Sequence, residues 1–363
     1  MNSCMLCPRR CGVNRDAGER NGFCGESAEL RLACASIHYG EEPPVTGKGG
    51  SGTIFVSGCN LGCVFCQNFR ISRAVPAPVS SGVHSGCPEK TPALGRVVTA
   101  EEFAGICLAL QERGAENINI VTGSHAVPAL AEGIRAAKAG PLCPAKTDPA
   151  RPEKKDRAGL NIPVLWNSSA YELPETLELL TGLVDAFLPD MKTLDGALAA
   201  RYFHAPDYPE TARAAILKMI GMTEKSRGDP GLPAGLPPVM VRHLVLPGHP
   251  ESTKDVLRWF AENCSGREGV ALSLMFQYTV MDSAGTRTSH AEQAIPAAPG
   301  RPVNEDEYRA VMGWLDEYGI EDGYCQELVP ADGDWLPDFE KDNPFPSDLS
   351  VPVWHWRNGF LTG

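Results

Sequence analysis

Three cysteines in one short stretch have the chemistry and spacing to bind a metal cluster. Three residues separate Cys59 from Cys63, and two separate Cys63 from Cys66. A cubane iron–sulfur cluster needs four ligands and normally takes four cysteines, so three local thiolates leave one iron open to a different ligand. Cysteines also serve as small buried hydrophobic residues, and a C-x-x-C pair alone occurs in zinc knuckles and redox pairs. The three-cysteine spacing favours the cluster.

A second set of cysteines lies near the N-terminus, at Cys4, Cys7, Cys11 and Cys24. The first pair has the spacing of a metal knuckle, and glycines beside the last two allow the backbone to turn tightly around an ion. Four ligands, the number that closes a structural zinc site, are present. A structural zinc ion, an auxiliary iron–sulfur cluster and free thiols all stay open as interpretations.

The sequence also predicts the elements that position these cysteines. Residues 52–56 form a short apolar, β-branched run bounded by glycines, which predicts a buried strand directly before the Cys59 loop. Similar runs then alternate with helical patterns, which is typical of βαβ units and a parallel sheet. Right-handed crossovers curl such units into an open barrel. Strands are predicted at 52–56, 117–121, 162–166, 186–188, 239–245 and 270–275, and helices after Thr99 and at 126–139, 174–183, 195–221, 252–263 and 304–318.

The predicted fold class is therefore α/β, a partial (β/α)6 TIM-like barrel with a small Cys-rich N-terminal appendage. We divide the chain into a Cys-rich segment over 1–48, the barrel over 49–328 and a C-terminal extension over 329–363. The extension has no clear period and is expected to cover one side of the barrel. Gly-, Pro- and Lys-containing stretches at 76–98, 140–159 and 223–237 are interpreted as insertions.

Composition narrows the class of protein. The chain has 363 residues, of which 43% are hydrophobic, and this is enough for one large α/β barrel or two ordinary domains. No apolar run approaches the ~20 residues that cross a bilayer, and the N-terminus has no signal-peptide core. We therefore expect a cytoplasmic protein without a membrane partner. Thirteen cysteines at ligand-like spacings indicate metal ligands and reduced thiols, and a net charge of −12 argues against a nucleic-acid partner.

The loop Cys-Asn-Leu-Gly-Cys-Val-Phe-Cys closely resembles that of the radical S-adenosylmethionine (radical SAM) enzymes. In that superfamily the amino and carboxylate groups of S-adenosyl-L-methionine bind the open iron. An electron from the cluster then cleaves the sulfonium to a 5′-deoxyadenosyl radical, which takes hydrogen from the substrate. The resemblance implies a [4Fe–4S] cluster at Cys59, Cys63 and Cys66, with S-adenosyl-L-methionine as the second cofactor and Phe65 beside its adenine.

Polar residues at the ends of two predicted strands are candidates for binding this cofactor, since parallel barrels carry their sites at the C-terminal ends of strands. Thr122, Gly123 and Ser124 stand where many radical SAM enzymes have Gly-Gly-Glu, whose acid receives the methionine amino group. No carboxylate is present there, so that contact must differ or come from Thr122 and Ser124. Asn167 and Ser168 follow the next strand and could bond the ribose hydroxyls or the methionine carboxylate.

Two further strand ends carry charged candidates. Asp190-Met191-Lys192 resembles the Asp-x-Lys of glycyl-radical activating enzymes, in which the lysine meets the cofactor carboxylate. Asp190 and Lys192 share a face of the strand, so a simple ion pair is the alternative interpretation. Arg242 and His243 end the fifth strand and complete the candidate set, although a lone histidine is more often structural.

Over nearly its whole length, apart from the insertions and the tail, the chain resembles the pyruvate formate-lyase activating enzyme-like branch of the superfamily. The shared features include the N-terminal cysteine motif, the 167–172 stretch and the 205–210 segment. This branch implies a glycyl radical enzyme as the protein substrate and reduced flavodoxin or ferredoxin as the electron donor. A radical enzyme acting on a small metabolite and a non-catalytic iron–sulfur or zinc protein remain the alternatives.

Overall fold

A computed structural model describes residues 3–72, 75–76, 90–91, 93–140, 158–224, 231–280, 298–329 and 336–362. Its strands are β1 (Leu30–His38), β2 (Ser51–Val56), β3 (Val75–Pro76), β4 (Lys90–Thr91), β5 (Arg96–Val98), β6 (Ile118–Val121), β7 (Val164–Ser168), β8 (Ala186–Pro189), β9 (Val239–Leu244), β10 (Val270–Met275), β11 (Gly323–Cys325), β12 (Ser350–His355) and β13 (Gly359–Phe360). Its α-helices are α1 (Pro43–Thr46), α2 (Phe69–Ser72), α3 (Ala100–Glu112), α4 (Val127–Ala139), α5 (Pro174–Leu177), α6 (Gly196–Phe203), α7 (Tyr208–Thr223), α8 (Pro250–Asn263) and α9 (Glu305–Glu317). Short 3-10 turns cover Arg15–Ala17 and Glu178–Leu180.

The six predicted strands form a continuous parallel run in the order β2-β6-β7-β8-β9-β10. They are almost entirely buried, as expected for strands that are covered on both faces. Helices of the βαβ units lie between consecutive strands in the sequence. The α/β fold class is therefore confirmed. In the described part of the chain, β11 extends the parallel run beyond β10.

Two antiparallel strands that the sequence analysis did not predict complete the sheet on its other side. β1 pairs with β2 and with β12, so that Cys34 faces both Phe55 and His355. β5 and β13 add short pairings to β1 and β12. Residues 30–38 and 350–355 are thus strands of the main sheet. The predicted insertion at 140–159 lies largely outside the described residues, as do much of 76–98 and residues 225–230 of the 223–237 stretch.

Helix boundaries follow the predicted caps. The Thr99 hydroxyl accepts a hydrogen bond from the Glu102 amide at the start of α3, and Asn304 forms a complete capping box with Glu307 at the start of α9. The helical region predicted over 195–221 is two helices, because His204 has φ +53° and ends α6 in a left-handed turn. None of the described helices is long and apolar enough to span a bilayer.

Candidate functional site

The loop that carries Cys59, Cys63 and Cys66 leaves the C-terminal end of β2 and leads into α2. Gly58 and Gly62 both have positive φ, at +86° and +74°, and let the backbone fold back on itself between the cysteines. Cys59 is buried, whereas the other two thiols are half-buried. A rigid strand therefore holds one end of a loop that can wrap around a group placed above the sheet.

The donor set fits an iron–sulfur cluster. The Leu61 amide donates to Cys59 Sγ at 3.3 Å, the kind of amide–sulfur contact that supports a thiolate ligand. Among the described residues, no three His, Cys, Asp or Glu side chains converge tightly enough to share one metal ion. A cubane places each thiolate on a different iron, so the sulfurs surround a volume and need not converge on one point. Three thiols on one loop match that requirement.

Phe65 lies between the last two cysteines and is buried in a cluster of aromatic side chains. Its ring meets those of Tyr202, Phe203 and Tyr278 edge-on, with centroids 5.8 to 6.1 Å apart. Edge-to-face pairs of this kind fix the orientation of each ring. The cluster anchors the cysteine loop to α6 and to the end of β10; contact of Phe65 with an adenine stays a prediction.

The backbone at the end of β6 is strained. Thr122 has φ +65°, an uncommon conformation for a β-branched residue, and its amide donates to the Asn167 carbonyl at 2.9 Å. Gly123 follows, and a Cβ there would stand 2.4 Å from the Trp166 ring, so only glycine fits. Strain of about 1–3 kcal/mol per residue persists where the surroundings impose it, commonly at functional sites.

A buried carboxylate links the ends of β6 and β7. Glu172 accepts hydrogen bonds from Ser124 Oγ, Trp166 Nε1 and Ser168 Oγ, at 2.8, 2.8 and 2.9 Å. Burial raises the pKa of Glu172 in spite of these donors. Ser124 and Ser168, both predicted near the cofactor, are thus oriented by one acid, while the half-buried Asn167 lies beside them on β7. Glu172 was not identified from the sequence as a site residue, although it ends the 167–172 stretch.

The Asp190–Lys192 pair follows β8. Lys192 Nζ donates to Asp190 Oδ2 at 2.6 Å, and Tyr208 Oη bridges the Asp190 carbonyl and the Lys192 amide. Burial lowers the pKa of Lys192, but the negative charges of Asp190 and Cys63 outweigh it, so the net pKa is raised. The ion-pair interpretation is therefore confirmed.

Arg242 is engaged by other acids. Its guanidinium donates to Glu41 at 2.7 Å and also to Glu42, both just ahead of α1, and Glu42 accepts from Ser273 Oγ at 2.6 Å. Arg242 is 5% exposed. The Arg242 guanidinium therefore pairs with two buried acids on the segment ahead of α1. These contacts do not support the predicted role of Arg242 in cofactor binding.

The Cys-rich N-terminal segment packs directly on the Cys59 loop. The Arg9 guanidinium donates to the carbonyls of Asn60 and Leu61 at 2.9 and 3.0 Å, and to those of Phe203 and His204. Arg15 similarly donates to the His125 carbonyl at 2.6 Å. Neither arginine was identified from the sequence as a site residue, although Arg9 stands inside the N-terminal cysteine motif. The two cysteine sets are therefore parts of one structural unit.

Comparisons with known proteins agree with this arrangement. A family model described as the radical SAM superfamily matches residues 53–260, which run from β2 into α8 and include every strand-end candidate. An uncharacterized protein of Methanocaldococcus jannaschii is 27% identical over 277 residues, covering 76% of this chain and 66% of that protein. The chain thus spans just under two thirds of that relative's length.

The solved structures that match this chain include two proteins of bacteria. SuiB of Streptococcus suis, bound to S-adenosylmethionine, matches with a TM-score of 0.41 and 12% identity over 74% of this chain and 48% of that chain. A radical SAM methyltransferase from Sphaerobacter thermophilus matches with a TM-score of 0.47 and 14% identity, over 79% of this chain and 69% of that one. At these similarities neither neighbour indicates a substrate.

Proposed function

The chain belongs to the radical SAM superfamily, and from that premise we propose that it binds a [4Fe–4S] cluster through Cys59, Cys63 and Cys66 and cleaves S-adenosylmethionine reductively. When bound, the cluster supplies one electron that breaks the sulfonium C–S bond, releasing methionine and a 5′-deoxyadenosyl radical that takes a hydrogen atom from the substrate. The protein's own residues hold, orient and shield these groups.

One observation carries the proposal: Cys59, Cys63 and Cys66 lie on the single loop that follows β2, inside the region matched by the family model. The Lys192 ammonium would receive the methionine carboxylate of a bound cofactor by a charge-assisted hydrogen bond. Asp190 holds the ammonium in place at 2.6 Å and keeps it protonated. Lys192 is thereby prepared to orient the cofactor before any electron arrives.

The Glu172 network supports a second role for the protein. Because Glu172 accepts from Ser124 and Ser168, each serine hydroxyl directs its proton inward and leaves oxygen lone pairs for other donors. Such acceptors suit the methionine ammonium or ribose hydroxyls. The strained Thr122 backbone beside them is held by the Asn167 carbonyl. These groups take the role that the absent Gly-Gly-Glu acid plays in related enzymes.

The finer assignment within the superfamily is an activating enzyme for a glycyl radical enzyme. The resemblance of Asp190-Met191-Lys192 to the Asp-x-Lys motif of such enzymes supports this subtype. The radical would then take hydrogen from the α-carbon of a glycine in a partner protein. Reduced flavodoxin or ferredoxin would supply the electron, since the reaction consumes one electron per cleavage.

Deuterium transfer tests this assignment. A glycyl radical enzyme from the same organism is produced with α-dideuterated glycine and incubated anaerobically with the reconstituted protein, S-adenosylmethionine and a one-electron reductant. The proposal predicts singly deuterated 5′-deoxyadenosine and a glycyl radical signal in electron paramagnetic resonance. The matched control uses the unlabelled partner.

The alternatives give different results. Formation of 5′-deoxyadenosine without deuterium from the partner would overturn the activating role and leave the cleavage chemistry intact. Deuterium arriving from the low-mass fraction of a deuterated cell extract would identify a small metabolite as substrate. Absence of 5′-deoxyadenosine in every mixture would contradict the radical enzyme itself and favour a non-catalytic metalloprotein.

A further inference from the structure

The four N-terminal cysteines line a single cavity, outside the region matched by the family model. Cys4, Cys7, Cys11 and Cys24 all line one pocket, part of which opens to solvent, and Asn60 and His125 line it with them. The four thiols thus share one space at the surface of the Cys59 loop.

Backbone turns hold these thiols in place. The Cys4 amide donates to the Val13 carbonyl at 2.9 Å and the Gly12 amide returns a bond to the Cys4 carbonyl, so the two ends of the knuckle are paired. The Phe23 amide donates to Cys11 Sγ at 3.3 Å. This contact has the same length as the one between the Leu61 amide and Cys59 Sγ in the first cysteine loop. Amides directed at sulfur stabilise thiolate ligands and tune the cluster they hold.

Two buried polar side chains that line the cavity have an atom without a partner. Asn60 Oδ1 and His125 Nδ1 make no hydrogen bond to any described residue, although the two residues are 1% and 2% exposed. His125 Nε2 is engaged by the Ser57 carbonyl, so Nδ1 is the ring nitrogen left over. An unpaired buried polar group costs about 1–3 kcal/mol, so a native structure normally supplies a partner. Both atoms are acceptors, because the Ser57 carbonyl keeps the proton of the neutral His125 ring on Nε2, so the partner that the pocket supplies is a donor such as a water molecule.

The arrangement of the thiols discriminates between metals. A zinc ion bound at about 2.3 Å by tetrahedral thiolates brings their sulfurs to within about 3.8 Å of one another. No three potential ligands in the described ranges converge on a single-ion site. Four thiols around an unfilled space suit a cubane, in which each thiolate binds its own iron.

We propose that Cys4, Cys7, Cys11 and Cys24 hold a second [4Fe–4S] cluster, fully ligated by cysteine. All four corners are then closed, so this cluster has no open iron for S-adenosylmethionine, unlike the cluster at the Cys59 loop. The Asn60 amide lies against the Cys7 thiol and lowers its pKa, and Asn60 directly follows Cys59. The two clusters are therefore neighbours, with Asn60 and Arg9 between their loops.

Iron and sulfide analysis of two complementary variants tests the site. In the Cys59→Ala/Cys63→Ala/Cys66→Ala variant, the anaerobically reconstituted protein keeps about four irons and four sulfides, because the N-terminal ligands are intact. The Cys4→Ala/Cys7→Ala/Cys11→Ala/Cys24→Ala variant loses about four irons from a wild-type total of about eight. Cys325→Ala removes an exposed thiol elsewhere and keeps the wild-type total.

Each contrary outcome has a clear meaning. A wild-type chain with about four irons, or a triple variant that holds one zinc ion in place of iron, overturns the second cluster. The wild-type count needs no variant and so does not depend on whether a substituted chain folds. None of these readouts involves cleavage of S-adenosylmethionine, so failure here is distinct from failure of the proposed function.

Discussion

Lys192 Nζ donates to Asp190 Oδ2 at 2.6 Å, directly after β8. Tyr208 Oη holds the backbone of this pair, because it donates to the Asp190 carbonyl and accepts from the Lys192 amide. A lysine with a single acidic partner keeps two of its three N–H donors for other acceptors. The geometry therefore fits a lysine that holds a carboxylate without leaving its own partner.

Lys192→Ala should weaken the binding of S-adenosylmethionine about tenfold to a hundredfold, since a charge-assisted hydrogen bond contributes about 1.5–3 kcal/mol. The iron content should stay at the wild-type level, because Lys192 is not a ligand. Equilibrium binding to the reconstituted protein measures the first and iron analysis the second. Lys218→Ala, which removes a surface lysine paired with Glu178, is the matched control. Loss of iron, or an unchanged affinity, would show that the role of Lys192 is misassigned.

Glu172→Ala should destabilise the protein by about 3 kcal/mol or more, because three buried donors lose their acceptor at about 1–3 kcal/mol each. Glu172→Gln should cost less, since its amide oxygen can still accept from Trp166 and Ser124, and the Ser168 hydroxyl can turn to accept from its nitrogen. Urea unfolding of both variants measures the difference. Equal losses in the two variants would mean that the carboxyl oxygens do not organise these donors.

The raised pKa of Glu172 also predicts a pH dependence of stability. The folded state binds this proton more tightly than the unfolded chain, so stability contributed by the group is complete below the unfolded pKa of about 4.3 and declines as pH rises toward the folded-state pKa. The difference in unfolding free energy between wild type and Glu172→Gln should therefore shift in favour of the glutamine variant with increasing pH. A difference that is flat between pH 4 and 8 would contradict the raised pKa.

Thr122→Gly should stabilise the fold by about 1 kcal/mol, because glycine adopts the left-handed backbone without the steric cost that threonine bears. Loss of the Thr122 hydroxyl should at the same time weaken S-adenosylmethionine binding if that side chain contacts the cofactor. Thr122→Asn, which tolerates the same backbone, separates the two effects. Thermal unfolding and cofactor binding are measured on the same preparations. A destabilised glycine variant would show that the backbone at 122 is not strained.

Arg242→Met should cost about 3–5 kcal/mol at neutral pH, because it leaves Glu41 and Glu42 without their buried counter-charge. Arg242 lowers the pKa of Glu42 against the opposing effect of burial, so the stability supplied by that carboxylate is present above its unfolded pKa and is lost as pH falls. The cost of the substitution should accordingly shrink near pH 4. Arg309→Met, at an exposed ion pair, should change stability by less than about 1 kcal/mol. Equal effects at the two arginines would contradict a buried ionic cluster.

Elements stabilised by residues close in sequence could be predicted, whereas elements stabilised by distant segments could not. The six parallel strands were found because each is a local apolar run flanked by turns, and α3 and α9 because Thr99 and Asn304 are local caps. β1 was missed although it pairs with the nearby β2 and is almost entirely buried. β12 was missed because its partner β1 lies at the opposite end of the chain, as the pairing of Cys34 with His355 shows. No local pattern records such a contact.

Prediction of the site residues was limited in the same way, because local sequence patterns do not report contacts between distant segments. Cysteine spacing reports ligands on one loop directly, whereas Glu172 reaches Ser124 from another βα loop. The side chain of Arg242 points toward Glu42, which lies two hundred residues earlier in the sequence, so its orientation could not be predicted from neighbouring residues. In a strand buried on both faces, alternation does not reveal which side a charged residue takes. The hydrogen-bond networks of Glu172 and Arg242 join separate loops, so only the structure shows them.

Formation of 5′-deoxyadenosine by the anaerobically reconstituted protein tests the central claim most directly. Wild type and Cys325→Ala should both form it from S-adenosylmethionine and a strong one-electron reductant. Cys63→Ala should form none and should lose the iron–sulfur absorbance of the Cys59 loop. Product formed by Cys63→Ala at the wild-type rate, or a wild-type protein that carries only zinc at Cys59, Cys63 and Cys66, would contradict the account.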